Sequence, residues 1–96
     1  MEIYGDAMSF EILVGLNVID DAKYADYRAA MKPILSQYEG RFGYDFKVSE
    51  VLITEGAEDI NRVFTINFSG EDKMKGFFSD SEYLKIKEQH FVKSVA

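Results

Sequence analysis

The apolar side chains of this sequence follow two different spacings in turn, and this alternation constrains the fold more than any other feature. In residues 10–18 they recur at every second position, which is typical of a strand with one buried face. In residues 24–38 they recur at intervals of three and four, which is typical of a helix that buries one side. Alternation returns in residues 41–55 and 62–68, and a second helical pattern covers residues 71–86. The chain therefore mixes strands and helices in a fixed order.

That order, β-α-β-β-α, predicts an α+β fold in which an antiparallel sheet carries two helices on one face, the ferredoxin-like sandwich. Residues 91–96 are a candidate for a short final strand. The 96 residues are too few for two cores, so we expect a single domain over residues 9–96, preceded by a flexible leader over residues 1–8. We also expect a bulge or bend near residues 47–49, and Gly40 as the left-handed end of the first helix.

The second face of the predicted sheet combines apolar and polar side chains, among them Leu13, Val63 and Thr65. Such a face is only partly suited to water. Because a chain of this size has a small core, a second copy of the chain is the expected cover for that face. The sequence therefore predicts a homodimer.

Composition and charge exclude several classes of function. The sequence has no cysteine, which excludes disulfide scaffolds, cysteine-ligated metal sites and thiol nucleophiles. A formal net charge of -6 argues against nucleic-acid binding, because phosphates repel an acidic surface.

No run approaches the roughly 20 apolar residues of a membrane-spanning helix, and no signal peptide is visible, so we expect a cytoplasmic protein. The acidic pairs lack the spacing of a calcium loop, and no phosphate-binding motif occurs, so we expect no metal and no cofactor.

Several short motifs occur in an order that resembles a known family. The first helix carries Tyr24 and Tyr27, then Pro33, and residues 40–42 follow as Gly-Arg-Phe. The later matching pieces lie at residues 51–56, 63–69, 77–79 and 81–83. Together they resemble the domain-of-unknown-function 1330 (DUF1330) family over about residues 10–86.

The resemblance implies a ferredoxin-like subunit that pairs into a dimeric α/β barrel. The wider superfamily includes cofactor-free monooxygenases, haem-degrading enzymes, muconolactone isomerases and dye-decolourising peroxidases. The family itself has no settled activity, so the resemblance carries over no catalytic residues. Members usually have an arginine late in the second helix, whereas residues 85–89 of this chain contain none. Family members also usually close with a longer strand than the one that could end at Ala96.

The apolar stripe of the first helix suggests a ligand pocket between that helix and the sheet. Aromatic side chains in such a place suit flat apolar ligands, which tyrosine hydroxyls can orient. The candidate binding residues come from both helices and from the strands: Tyr24, Arg28, Met31, Phe64, Asn67 and Phe78. The alternative is an ordinary core with tyrosine hydroxyls at its rim. Arg28 could bind a carboxylate, or form an ion pair with Asp21 or Glu55, which is the more common role of such a residue.

Two residues, Tyr27 and His90, are candidates for catalysis. His90 is the only histidine, and its side chain can exchange a proton near neutral pH, although it can equally be a surface residue near a helix C-terminus. The sequence thus predicts a homodimer that binds a small apolar or aromatic molecule and that could act as a cofactor-free monooxygenase or isomerase. The alternative is a non-catalytic interaction module whose functional surface is the dimer interface.

Overall fold

Strands and helices alternate along the chain largely as the hydrophobic pattern indicates. The computed structural model describes residues 9–56 and 59–96, so the predicted leader over residues 1–8 lies outside the described residues. The elements, in order, are β1 (Phe10–Leu16), α1 (Asp21–Gln37), β2 (Arg41–Lys47), β3 (Arg62–Phe68), α2 (Glu71–Ser79), α3 (Ser81–Ile86), a π-helical turn (Lys87–Phe91) and α4 (Val92–Ser94).

The strands form one antiparallel sheet in the order β1-β3-β2. β3 lies in the centre and pairs with β1 from Phe10 opposite Phe68 to Leu16 opposite Arg62. β1 and β2 are therefore parallel to each other on either side of β3, with α1 as their connection. This is consistent with a ferredoxin-like α+β fold.

The C-terminal residues do not form the short final strand for which residues 91–96 were a candidate. The chain stays helical through Ser94, and Val95 makes a single antiparallel bridge with Val18. The Ser94 carbonyl accepts the backbone N–H of Ile19 at 2.8 Å, so the C-terminus is held against the residues that follow β1.

The core lies between the helices and one face of the sheet. The predicted stripe of α1 is confirmed, because its buried side chains are Tyr24, Tyr27, Met31, Ile34 and Leu35. From β3, alternate side chains Phe64, Ile66 and Phe68 are buried against them, joined by Phe77 and Tyr83 from the later helices. One face of β3 therefore belongs to the core, as strand alternation requires.

The ends of α1 are specified by local side chains. Asp20 caps its N-terminus, where its carboxylate accepts a first-turn backbone N–H at 3.0 Å. At the C-terminus the left-handed residue is Glu39, with φ of 57°, and not Gly40 as predicted. Gly40 is needed for close packing instead, since a Cβ there would overlap the side chains of Leu35 and Phe68.

β2 contains a bulge that lies before the predicted range 47–49, and within that range the chain bends at Ser49. Phe42 lies opposite Ile66 and Asp45 lies opposite Phe64, so Gly43 and Tyr44 together face Thr65. The Tyr44 N–H donates to Thr65 Oγ1 at 2.8 Å, and a Cβ on Gly43 would lie 2.5 Å from the same oxygen. The glycine makes room for the bulge.

The second face of the sheet has no helix against it in the described part of the chain. Leu13 of β1 is 74% exposed and Phe46 of β2 is 55% exposed, and the Phe46 ring stacks on Tyr44. The residues after Lys47 do not extend the strand to residue 55 as predicted. They form an irregular loop in which Leu52 and Ile53 are almost fully exposed.

Candidate functional site

A cavity of about 170 Å³ lies between α1, the sheet and the C-terminal helical residues, and we call it the helix–sheet cavity. The sheet contributes four apolar side chains, Val14, Phe42, Phe64 and Ile66. The helices and the π-helical turn contribute three more, Met31, Phe78 and Phe91. The polar lining residues are Tyr27, Arg28, Tyr83 and Lys87. The wall is therefore mostly apolar with a few polar groups, which is the composition of small-molecule sites.

Arg28 is held at the cavity wall by aromatic rings and hydrogen bonds. Its guanidinium carbon lies 4.0 Å from the centre of the Phe42 ring and 4.4 Å from that of Phe64. Its Nε donates to Tyr24 Oη at 2.9 Å, and Nη1 donates to Asp45 Oδ2 at 3.2 Å. Its Nη2 is buried and has no hydrogen-bond partner among the described residues. Arg28 therefore keeps unused donor capacity in a fixed position.

Asp45 joins Arg28 to a second arginine. Arg62 donates from Nε and from another guanidinium nitrogen to both Asp45 oxygens, at 2.7 and 2.8 Å. These hydrogen bonds, together with the charges of Arg28 and Arg62, hold the pKa of the Asp45 carboxyl below its usual value. Two guanidiniums share one carboxylate, so this cluster keeps one net positive charge.

The bulge in β2 is the reason that Asp45 can reach Arg28. In a regular strand, Phe42 and Asp45 would point to opposite faces, because they are three residues apart. The extra residue at Gly43–Tyr44 turns Asp45 to the face of Phe42, which is the face that carries α1. The ion pair predicted for Arg28 with Asp21 or Glu55 is therefore formed with Asp45 instead.

Two tyrosine hydroxyls meet at the cavity. Tyr27 Oη and Tyr83 Oη are 2.8 Å apart in a buried contact, and either can be the donor. Burial raises the pKa of both phenols, so both stay protonated near neutral pH. One hydroxyl proton is used within the pair, and the other is available to an acceptor. The pair can thus donate a hydrogen bond to a ligand, but it is a poor general base.

The π-helical turn brings two further residues to the wall. Lys87 and Phe91, its first and last residues, both line the cavity. The ring centre of Phe91 lies 4.9 Å from that of Tyr27. π-helical turns are rare and are often found at functional sites.

Five of the residues predicted for the site meet at the cavity, namely Tyr27, Arg28, Met31, Phe64 and Phe78. The other three do not line it. Tyr24 is buried beside it and accepts the Arg28 hydrogen bond. Asn67 belongs to the opposite face of β3, and His90 lies in the π-helical turn but is not among the residues that line the cavity.

Sequence reasoning did not select Asp45, Tyr83, Lys87 or Phe91. Gly43 was the available signal for Asp45, because a glycine inside a strand often marks a bulge. The sequence offers no comparable signal for Lys87 and Phe91, because their position depends on the π-helical turn.

A wider hollow of about 670 Å³ lies at the edge of β1, beside residues 53–56. Its lining combines Gly15 and Leu16 of β1 with loop residues such as Glu55 and the almost fully exposed Ile53, so part of its wall is irregular loop. Within residues 9–56 and 59–96 there is no group of three side chains suited to a metal ion. No helix in those ranges has the length and apolar content needed to cross a membrane.

Comparison with known proteins identifies the family and the fold. No curated protein matches the sequence. The structure is similar to the crystal structure of RPA0582, a protein of unknown function from Rhodopseudomonas palustris, with a TM-score of 0.75 and 13% identity over 94% of this chain and 75% of that chain. It is also similar to methylated RPA0582, with a TM-score of 0.73 and 15% identity over 91% and 73% of the two chains. At such low identity the likeness concerns the fold alone. The sequence model of one family matches residues 12–92, and the chain therefore belongs to the family described as Domain of unknown function (DUF1330).

Proposed function

We propose that this protein binds a small apolar or aromatic molecule in the helix–sheet cavity. The observation that supports this most directly is the lining itself, in which seven apolar side chains surround a space of about 170 Å³ and four polar side chains border it. The space is partly open to solvent, so a small molecule can enter it without disruption of the core. A cavity of about 150 Å³ with an apolar lining can bind benzene, so the expected ligand has about the size of one ring.

Binding is better supported than catalysis. The raised pKa of Tyr27 favours a hydrogen-bond donor over a base. His90 is not among the residues that line the cavity. The catalytic roles of Tyr27 and His90, the monooxygenase- or isomerase-like activity and the cytoplasmic location stay predictions.

A neutral ring compound and a pair of neighbouring substitutions test the proposal. Toluene added to the full-length protein is expected to shift the NMR signals of the Met31 methyl group and of the Phe64 ring. Val14→Phe should abolish these shifts, because residue 14 lines the cavity. Leu13→Phe adds a ring on the other face of the same strand and should leave them unchanged. Shifts that are absent in the unmodified protein, or that survive Val14→Phe, would contradict the proposal.

We further infer that the chain acts as a homodimer, paired through the second face of the sheet as in a dimeric α/β barrel. The exposed Leu13 and Phe46 side chains support this, because an apolar sheet face is usually covered in a soluble assembly. Native mass spectrometry would report the number of subunits and any retained compound together. A dimer that carries no small molecule and shows no response to toluene would favour the alternative, a non-catalytic interaction module.

A further inference from the structure

We propose that the ligand of the helix–sheet cavity carries a carboxylate, so that its class is a one-ring aromatic carboxylate. This inference rests on the proposed function and adds the polar end of the ligand to it. Three observations lead to it, namely the charges at the wall, the free donor of Arg28 and the tyrosine pair.

The charge at the cavity wall is opposite in sign to that of the whole chain. The protein has a formal net charge of -6, yet the lining residues include the cations Arg28 and Lys87 and no acid. Asp45 neutralises only one of the two arginines, since it binds Arg62 through both oxygens and Arg28 through one. Burial raises the pKa of Tyr24, so the phenol next to Arg28 is neutral as well. A negatively charged group is therefore the complement that the site lacks.

The donors at the wall suit a carboxylate in particular. Arg28 Nη2 is buried without a partner among the described residues, although a buried N–H normally has one. The neighbouring Nε and Nη1 are already bound to Tyr24 and Asp45, which fixes the plane of the guanidinium. Because Arg28 lines the cavity, a carboxylate there can pair with its guanidinium, and charge-assisted bonds of this kind are among the strongest in proteins.

The second carboxylate oxygen also has donors available at the wall. The Tyr27–Tyr83 pair keeps one hydroxyl proton that the pair itself does not use, and Lys87 supplies an ammonium group. A neutral ligand of the same shape would leave the positive charge at the wall without a counter-ion. The difference between the two ligands should therefore appear directly in the binding affinity.

Benzoate and benzamide are the matched probes, because they share one ring and nearly the same shape and differ in charge. We expect benzoate to bind the full-length protein about tenfold more tightly than benzamide, or more, as measured by isothermal titration calorimetry at low salt. Equal affinities, or tighter binding of benzamide, would overturn the carboxylate inference and leave the pocket proposal intact. If neither compound nor toluene binds, the proposed function itself fails.

Two lysine substitutions test whether the preference for benzoate over benzamide arises at the cavity wall. Lys87→Met and Lys93→Met change the net charge equally, and both residues are exposed, but only Lys87 lines the cavity. We expect Lys87→Met to weaken benzoate binding about threefold or more without changing benzamide binding, and Lys93→Met to change neither. Arg28→Met should remove the preference for benzoate altogether. Equal losses in the two lysine variants would show a general charge effect and overturn the inference.

Discussion

Arg28 is the residue on which the candidate site depends. A buried N–H without a partner costs about 1–3 kcal/mol, so the buried Nη2 lowers the free energy of unfolding. The rings of Phe42 and Phe64 offset part of this cost, since a desolvated cation over an aromatic ring contributes about 0.5–2 kcal/mol. The guanidinium is therefore held in place before any ligand arrives, which reduces the entropy lost on binding.

The Asp45 carboxylate predicts how stability depends on pH. Its pKa is lower in the folded protein, chiefly because of the Arg62 hydrogen bonds, so its contribution is present above its unfolded pKa and is lost as pH falls through the folded pKa. We expect Asp45→Asn to lower the free energy of unfolding by about 1 kcal/mol at neutral pH. The difference from the unmodified protein should shrink below about pH 4, as measured by urea unfolding.

Glu39→Gln is the matched control for that experiment. Glu39 also forms an ion pair, with Lys73 at 3.5 Å, but its side chain is 60% exposed, whereas that of Asp45 is 33% exposed. Its loss should change the free energy of unfolding by less than about 0.5 kcal/mol. A pH-independent difference for Asp45→Asn, or equal effects of the two substitutions, would contradict the assigned role of Asp45.

At the scale of elements, the bulge of β2 is the feature that positions Asp45. Gly43→Ala would place a Cβ 2.5 Å from Thr65 Oγ1, so either the bulge or the central strand must shift. We expect a loss of about 1–3 kcal/mol in the free energy of unfolding by urea. Gly15→Ala, in β1, meets only the side chain of Ile60 at 3.3 Å and should stay within about 0.5 kcal/mol. Similar losses in both variants would show that the bulge has no special need for glycine.

The elements that could be predicted from the sequence are those whose pattern is long and local. The buried stripe of α1 and the alternation of β3 each depend on spacing within one segment. Residues 48–55 were expected in a strand because Val51 and Ile53 alternate with other residues, yet they lie in a loop. Alternation shows that a strand is possible, but a strand also needs a neighbouring edge with which to pair.

The candidate site could be predicted only where it coincides with these patterns. Tyr27 and Met31 lie on the α1 stripe, and Phe64 lies on the core face of β3, so spacing was enough to select them. Asp45 depends on a one-residue shift in β2, and Lys87 on the helix type after α3. Neither a bulge position nor a π-helical turn is fixed by the spacing of apolar residues, because both insert a residue into a regular repeat.

For the whole molecule, the exposed sheet face predicts how the protein assembles. We expect the unmodified chain to sediment as a dimer at micromolar concentration. Leu13→Glu and Phe46→Glu should each yield monomers, because either would bury a charge in the proposed interface. Sedimentation equilibrium measures the outcome.

Leu84→Glu is the control for assembly. Leu84 is also an exposed apolar residue, but it lies on α3 in the helical layer, away from the second face of the sheet. This variant should remain dimeric. A monomeric unmodified protein, or dimers that persist in both sheet-face variants, would contradict pairing through the sheet.

The π-helical turn makes ligand choice sensitive to chain length. Removal of one exposed residue there, such as Gln89, would restore an α-helical repeat and rotate every later residue by about 100° around the axis. Phe91 would then leave the wall, while the sheet and α1 would keep their positions. Gain or loss of a single codon at this turn is therefore a route by which related chains could acquire different ligands without rebuilding their interior.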